Sequence, residues 1–402
     1  MILQRLRGGA PLEVAVIELL AGLPHSFWPH PAKRIRDWQR TGKTPSSYTG
    51  AYNQARQALA LSVVQDSCDR IFGSLAAELD AGQHAPTYLL DGSSMRLAHS
   101  AELIQEFPPG SNQHGQGHWP VALVLVAHDL RTGLAMRPEW GPMYGAKAVS
   151  EQKLLEALIR RLPAGVTVMG DANFGVFTVA HAAAGAKHPV LLRLTTARAQ
   201  RLTGRSLRDG VDRTVVWRPS PYERRCHPEL DPQASVTGRL VVRRVQPNNG
   251  ARPFLLALFT TLEQTPKQIL ELYGQRWNIE TDLRTLKKTL RLDQLSSATV
   301  EMVAKEIEVG IASYNLVRAM IHVASRQSGS VPRSYSFTRV SRIVQIFSNK
   351  LATVTDPCAE HQLFDQMMRH IQQSQHPRRT KRRPSYPRQV WQRGKYFPTH
   401  KS

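Results

Sequence analysis

Four polar residues in one segment, Tyr273, Arg276, Glu280 and Lys287, are spaced so that they could act together. Counted from Tyr273, the others follow at offsets of three, seven and fourteen. At about 100° per residue in an α-helix they project at roughly 0, −60, −20 and −40°, a stripe about 60° wide. Beside it runs an apolar stripe of Leu272, Ile279, Leu283, Leu286 and Leu290, at helical spacing. The pattern predicts a helix with one face on a core. It carries a carboxylate at the rim of that face, flanked by cations. A surface helix would scatter its charges around the outside.

Two further acids close apolar runs. Asp91 ends Thr87-Tyr-Leu-Leu and Asp171 ends Val166-Thr-Val-Met-Gly. Each reads as a strand running into a carboxylate. Two acids at strand ends and one on a rim helix can converge at one edge of a mixed sheet. Three convergent carboxylates repel one another unless a divalent cation neutralises them. Hard oxygen ligands suit Mg²⁺ or Mn²⁺. Two such ions ~3.5–4 Å apart can activate an attacking oxygen and stabilise a leaving oxygen of a phosphodiester. The chemistry indicated is metal-dependent phosphoryl transfer on nucleic acid.

Charge points to the same partner. The 402 residues hold 53 Lys plus Arg against 31 Asp plus Glu, a formal net charge of +22. Such an excess favours a polyanion. The segment from Pro377 to Ser402 contains nine Lys/Arg and no acid. Without it 44 cations still face 31 acids, an excess of 13, so the body is basic too. Cys68, Cys226 and Cys358 are far apart and form no C-x-x-C pair, which argues against a zinc site or a disulfide framework. No apolar run approaches the ~18 residues needed to span a bilayer. Glu13 and Glu18 interrupt the apolar N-terminal stretch, unlike a signal peptide. A cytoplasmic protein without membrane contact is expected.

The elements that must position the acids follow from periodicity. Residues 1–82 predict a helical N-terminal region, with a basic stretch from Lys33 to Lys43. A catalytic core is expected over 83–194. It holds strands near Asp91, at Trp119–His128, at Leu134–Trp140, before Asp171 and at His188–Leu194. Asp129–Gly133 reads as a hairpin turn, and Ser150 caps a helix reaching Leu162. Residues 195–252 are Arg-, Pro- and Gly-rich with short β-like runs, and predict a β-rich insertion. The core resumes over 253–328 with the strand Pro253–Thr261 and the long helix that Pro266 opens. Residues 329–402 are expected to be weakly structured, ending in the basic tail.

Tyr273, Arg276, Glu280 and Lys287 match the spacing Y-x-x-R-x-x-x-E-x6-K. In this the chain resembles bacterial DDE transposases of insertion-sequence family four. Asp91 in Leu-Leu-Asp-Gly-Ser and Asp171 in Met-Gly-Asp-Ala-Asn-Phe lie where that family places its first two acids. The resemblance spans roughly residues 40 to 325. It implies an α/β, ribonuclease-H-like fold with a mixed five-stranded sheet and flanking helices. Asp91, Asp171 and Glu280 would then be the catalytic acids and the ligands of two Mg²⁺ ions, with Mn²⁺ able to substitute. A β-rich insertion commonly separates the second Asp from the Glu, and the 109-residue gap fits that.

The resemblance also implies DNA contacts by Tyr273, Arg276 and Lys287, and a base-holding role for Trp217 in the insertion. A core position is the bland alternative for Trp217. The expected partners are duplex DNA, as terminal inverted repeats and target, and a second copy of the chain in a synaptic complex. The segment from Thr195 to Gly250 holds eleven Arg and no Lys, suited to bidentate phosphate contacts. His114 and His118 sit on a Gly-rich loop with no Cys beside them, and read as a loop without metal. Two other classes compete with a cut-and-paste transposase. One is a transposase-derived DNA-binding protein without chemistry, the other a ribonuclease-H-like nuclease.

Overall fold

Leucine- and valine-rich runs form strands, and Ala/Leu-periodic stretches form helices, in the computed structural model of the chain. The structure describes residues 57–79, 86–113, 115–246, 252–286, 295, 297–351, 354 and 356–376. Much of the expected helical region 1–82, including Lys33 to Lys43, lies outside the described residues. So do His114, Lys287 and the basic tail from Pro377.

In chain order the elements are α1 (Leu61–Leu79), β1 (Thr87–Arg96), α2 (Ala101–Glu106), β2 (Ser111–Asn112), β3 (Gly115–Gln116), β4 (Val121–Asp129) and β5 (Glu139–Pro142). Next come α3 (Glu151–Ile159), β6 (Thr167–Gly170), α4 (Phe177–Gly185), β7 (Val190–Leu194), α5 (Thr196–Thr203), β8 (Asp212–Trp217), α6 (Pro221–Cys226), β9 (Val236–Val245) and β10 (Phe254–Thr260). The last are α7 (Pro266–Gly274), α8 (Trp277–Arg284), α9 (Val300–Ser328), α10 (Phe337–Leu351) and α11 (Pro357–Gln372).

The main sheet has the order β5-β4-β1-β6-β7-β10-β9-β8. β1 pairs antiparallel with β4, and β4 with β5. β1–β6 and β6–β7 are parallel. From β7 onward the pairs are antiparallel again. Eight strands stand where five were expected, and this corrects the sheet. The insertion does not form a sheet apart. Its strands β8 and β9 hydrogen-bond onward from β10, because the pattern Gly238–Val245 puts buried apolar residues against β10.

Side chains alternate across a strand, so each central strand feeds two cores. Leu89, Val124, Val126, Met169, Leu191 and Leu258 face one cluster, with α7, α9, α10 and α11. Tyr88, Leu90, Leu125, Val168 and Leu192 face the other, with α3 and α4. Burial on both faces is why these strands are apolar throughout rather than alternating. Ser150 caps α3 by accepting from the Lys153 amide, as its position predicts. Thr265 and Gln268 form a capping box around Pro266 at the start of α7. No helix among the described residues is long and apolar enough to cross a membrane.

Three expectations are corrected. The strand expected at Leu134–Trp140 starts only at Glu139, apart from a bridge at Ala135. The Asn315 side chain of α9 takes both the Ala135 amide and its carbonyl, each at 2.8 Å, and replaces a strand partner there. The chain after residue 328 is not weakly structured. Phe337, Val340, Val344 and Phe347 on α10 and Phe364, Met367 and Ile371 on α11 recur at helical spacing and are buried. The long helix expected from Pro266 is interrupted between Gly274 and Trp277.

One ionic cluster locks α8 in place. Asp282 is fully buried and takes the Arg318 guanidinium on one carboxylate oxygen. Arg333 donates to both carboxylate oxygens, at 3.2 and 3.0 Å. Arg318 also donates to the Tyr314 hydroxyl at 2.8 Å, and Arg333 to the Leu130 carbonyl at 3.2 Å. Burial alone would raise the Asp282 pKa, but Arg318, His128 and Arg333 hold it below the ordinary carboxylate value. Asp282→Ala leaves Arg318 buried without its counterion and should cost about 3–5 kcal/mol in urea unfolding. The wild type should lose this contribution as pH falls through the ordinary carboxylate range, because the unfolded chain takes up the proton first. The variant's stability should be flatter there. Equal stability of the two proteins near pH 7 would refute the clamp.

Candidate active site

The register of two parallel strands sets the first two acids side by side. Leu89 of β1 pairs with Met169 of β6. Two residues on, where β6 has ended, stand Asp91 and Asp171. Asp91 accepts the Gly92 amide at 2.9 Å, and Asp171 accepts the Asn173 amide at 2.8 Å. Each carboxylate thus accepts a backbone amide just downstream of it, one residue on for Asp91 and two for Asp171. The Asp91 pKa is pushed up to about 7, first by burial, then by the charges of Asp171 and Glu151.

The third acid comes from the opposite direction. α7 and α8 are joined by the turn at Gln275 and Arg276, where amides bond back three residues. The turn keeps the chain near helical, so Arg276 still reaches Glu280 one turn on, at 2.9 Å. Arg276 also lies within electrostatic reach of Asp91 and Asp171. Glu280 is tied to Arg276 rather than to the two aspartates. Among the described residues no three His, Cys, Asp or Glu side chains are disposed to hold a metal ion together.

The donor set nonetheless suits a divalent cation. The oxygens are hard, and Asp91 is crowded by negative charge. Arg276 stands in as the local cation for all three expected acids. Tyr273 is 6% exposed and its ring belongs to the core. Its hydroxyl is buried with no hydrogen-bond partner among the described residues, and burial pushes its pKa up to about 12. An orphaned donor beside Arg276 is chemically apt for a phosphate oxygen.

Trp217 is not placed for a base. It is 5% exposed, with Phe177 at 6.3 Å and Phe259 at 4.9 Å in edge-on packing. Of the two readings the sequence left open, the core position is the one observed. The exposed aromatic nearby is Tyr222. The insertion still touches the site, since Arg198 of α5 donates to the Ala172 carbonyl at 2.7 Å, next to Asp171. His118 stacks on His99 at 4.1 Å and meets Trp119 edge-on.

One acid of the site was not foreseen. Glu151, at the start of α3, raises the Asp91 pKa and accepts from the Asn173 side chain at 3.1 Å. Burial raises its own pKa above the ordinary value, Asn173 opposes this, and Asp171 adds to it. In sequence Glu151 follows the cap Ser150 and reads as a first-turn acid that complements the helix dipole. Only the spatial approach of α3 to β1 distinguishes it.

With this geometry in place, comparison with known proteins is informative. The profile of the family described as "Transposase DDE domain" matches residues 82–316, more than half of the chain. The chain is 25% identical over 310 residues to the transposase InsG for insertion sequence element IS4 of Escherichia coli (strain K12). That alignment covers 74% of this chain and 66% of the relative, so the chain spans just under two thirds of the relative's length. It is also similar to a chain in the cryo-EM structure of a piggyBac transposase synaptic complex with hairpin DNA. The TM-score is 0.41 at 13% identity, covering 72% of this chain and 58% of that one.

The raised Asp91 pKa has a consequence for stability. Between the ordinary aspartate value and about 7 the folded chain holds a proton that the unfolded chain has released. Asp91 therefore adds stability at low pH and loses it as pH rises through about 7. In EDTA at pH 8, Asp91→Asn should be more stable than wild type by at least about 1 kcal/mol in urea unfolding. The gain should fade towards pH ~4. A variant no more stable at pH 8 would contradict the crowding of charge at this site.

Proposed function

The chain belongs to the transposase DDE domain family, and from that premise we propose that it cuts and joins DNA as the transposase of an insertion sequence. The observation that carries the reading is the register-matched pair Asp91 and Asp171 facing the Arg276–Glu280 pair across the sheet edge. The order β5-β4-β1-β6-β7 and its antiparallel and parallel pairing support a ribonuclease-H-like core. By this reading 83–194 and 253–328 make the catalytic core, 195–252 is an insertion, and residues 1–82 grip DNA.

Asp91, Asp171 and Glu280 are the residues that would hold two Mg²⁺ ions, or Mn²⁺ in their place. When bound, such ions supply an activated attacking oxygen and a stabilised leaving oxygen. The residues of the chain do the rest. Arg276 is a bidentate phosphate ligand in waiting, and a DNA phosphate competes with Glu280 for it. That exchange frees the Glu280 carboxylate towards the two aspartates. The Tyr273 hydroxyl, lacking a partner, and Lys287 contact the same backbone. The substrates are the element's terminal inverted repeats and then a target duplex, to which the freed 3′-OH ends are joined. Two copies of the chain holding the two ends are the expected assembly.

Cleavage of a labelled duplex carrying the repeat that flanks the gene, with Mg²⁺, tests this. Wild type should cut at the repeat end. Asp91→Asn and Glu280→Gln should each lose roughly 100-fold or more of that rate while still binding the duplex. Binding without cutting by wild type, with Mn²⁺ and both ends supplied, would leave only a DNA-binding protein.

A further inference from the structure

A row of side chains crosses the sheet just beyond the core. Leu89 pairs with Met169, and Met169 with Leu191, across the parallel strands β1, β6 and β7. All three face the cluster packed against α7 and α9. Side chains return to the same face at every second residue. The next row on that face is therefore Asp91, Asp171 and Arg193. Arg193 stands beside Asp171 as Asp171 stands beside Asp91. On the other side of Arg193, β10 pairs Leu258 with it.

The charge of Arg193 is unanswered. Other half-buried arginines are held by acids: Arg137 by Asp69 at 3.0 Å, Arg161 by Glu139 at 2.6 Å and Arg239 by Asp212 at 2.9 Å. Arg193 is half-buried too, yet among the described residues it has no acid within ion-pair distance and its side chain donates no hydrogen bond. Its guanidinium lies 5.9 Å from the ring centre of Phe254, which is 42% exposed. Such stacking uses the face of the guanidinium and leaves its N–H edges free.

A second group lacks the same kind of partner. The buried Tyr273 hydroxyl of α7 has no hydrogen-bond partner among the described residues. After burial, the charges that act on it are those of Arg276, Arg193 and Asp171. A buried hydroxyl and a free guanidinium within electrostatic reach of each other both want an acceptor. One anion with several oxygens would satisfy both.

We propose that Arg193 is a phosphate-binding residue of this site, and that with the Tyr273 hydroxyl it seats a backbone phosphate of the DNA on the side of Asp171 away from Asp91. This rests on the DNA-cutting reading above. The guanidinium donates two parallel N–H bonds to the non-bridging oxygens, and the hydroxyl donates to one of them. The seat fixes the strand against Asp171, as Arg276 does on the Glu280 side.

The test uses the full chain and the duplex carrying the flanking repeat. Binding is measured in EDTA over a series of salt concentrations, with circular dichroism to confirm folding. Each phosphate met by a cation adds ~0.9 to the slope of log affinity against log salt. Arg193→Ala should lower that slope by about one and weaken binding roughly tenfold. Arg193→Lys should keep the slope and recover affinity only in part, since a lysine cannot make the paired contact. Neutral methylphosphonates are then placed one at a time along each strand. At one position the substitution should weaken wild type but leave Arg193→Ala unchanged, and Tyr273→Phe should blunt the same response. Weaker binding by Arg193→Ala with a wild-type slope would mark a structural role and overturn the inference. So would equal sensitivity of the two proteins at every position. Either result with metal-dependent cutting intact spares the parent reading. A wild type that neither binds nor cuts the duplex removes both.

Discussion

The buried carboxylate of Asp282 is the constraint from which the geometry of the site follows. It lies two residues after Glu280 and is shared by Arg318 of α9 and Arg333 beyond it. α9 is buried along most of its length. It is tied in turn to the β4–β5 connection by Asn315 on Ala135 and by His322 on the Thr132 carbonyl. The helix α8 that carries Glu280 is therefore fixed against the same connection that borders β4, the partner of β1. A buried ion pair adds little net stability over an apolar pair of similar shape, but losing one partner is costly. Its worth here is geometric. Glu280 is held to one side of Asp91 and Asp171 by ionic contacts that a slipped helix would forfeit.

Against this rigid frame the site itself is under electrostatic tension. Asp91, Asp171 and Glu151 share one end of the sheet, and burial first, then the charges of Asp171 and Glu151, push the Asp91 pKa up to about 7. Arg276 relieves part of it while bound to Glu280. A half-buried Asp91 beside two other acids gives the folded chain a cost that an inert α/β protein would not carry. That cost is the expected mark of a binding site for positive charge, since sites that must seize a cation cannot also satisfy their acids internally.

The two aspartates were legible in sequence because each closes an apolar run, but only β6 stops before its acid, and β1 runs on through Asp91 to Arg96. Their register was not stated by any local pattern, but follows once β1 and β6 pair in parallel. The Tyr-Arg-Glu-Lys stripe was legible as a 3.6-residue period, and the Arg276–Glu280 pair survives the break at Gln275. The break itself was hidden, because Gly274 and Gln275 fit a helix wheel as well as a turn. α10 and α11 carry the same apolar period as the helices that were foreseen, but polar residues dilute it. The eight-stranded sheet was missed for a deeper reason. Strands β8 and β9 have no sequence mark that says whether they pair with each other alone or extend β10. Glu151 was beyond reach for the same cause: its approach to β1 depends on the bare backbone of Gly92, fifty-nine positions earlier.

That the insertion continues the central sheet changes what it can do. A separate domain on two linkers would move independently of the acids. Here β9 pairs along its length with β10, and β10 pairs with β7. Trp217 at the end of β8 is buried against Phe177 of α4 and Phe259 of β10, so the insertion shares the core of the sheet. Arg198 then reaches from α5 to the Ala172 carbonyl. The insertion is thereby held in fixed relation to Asp171 through a backbone contact and a continuous ladder of hydrogen bonds. The insertion and the two aspartates are parts of one hydrogen-bonded sheet.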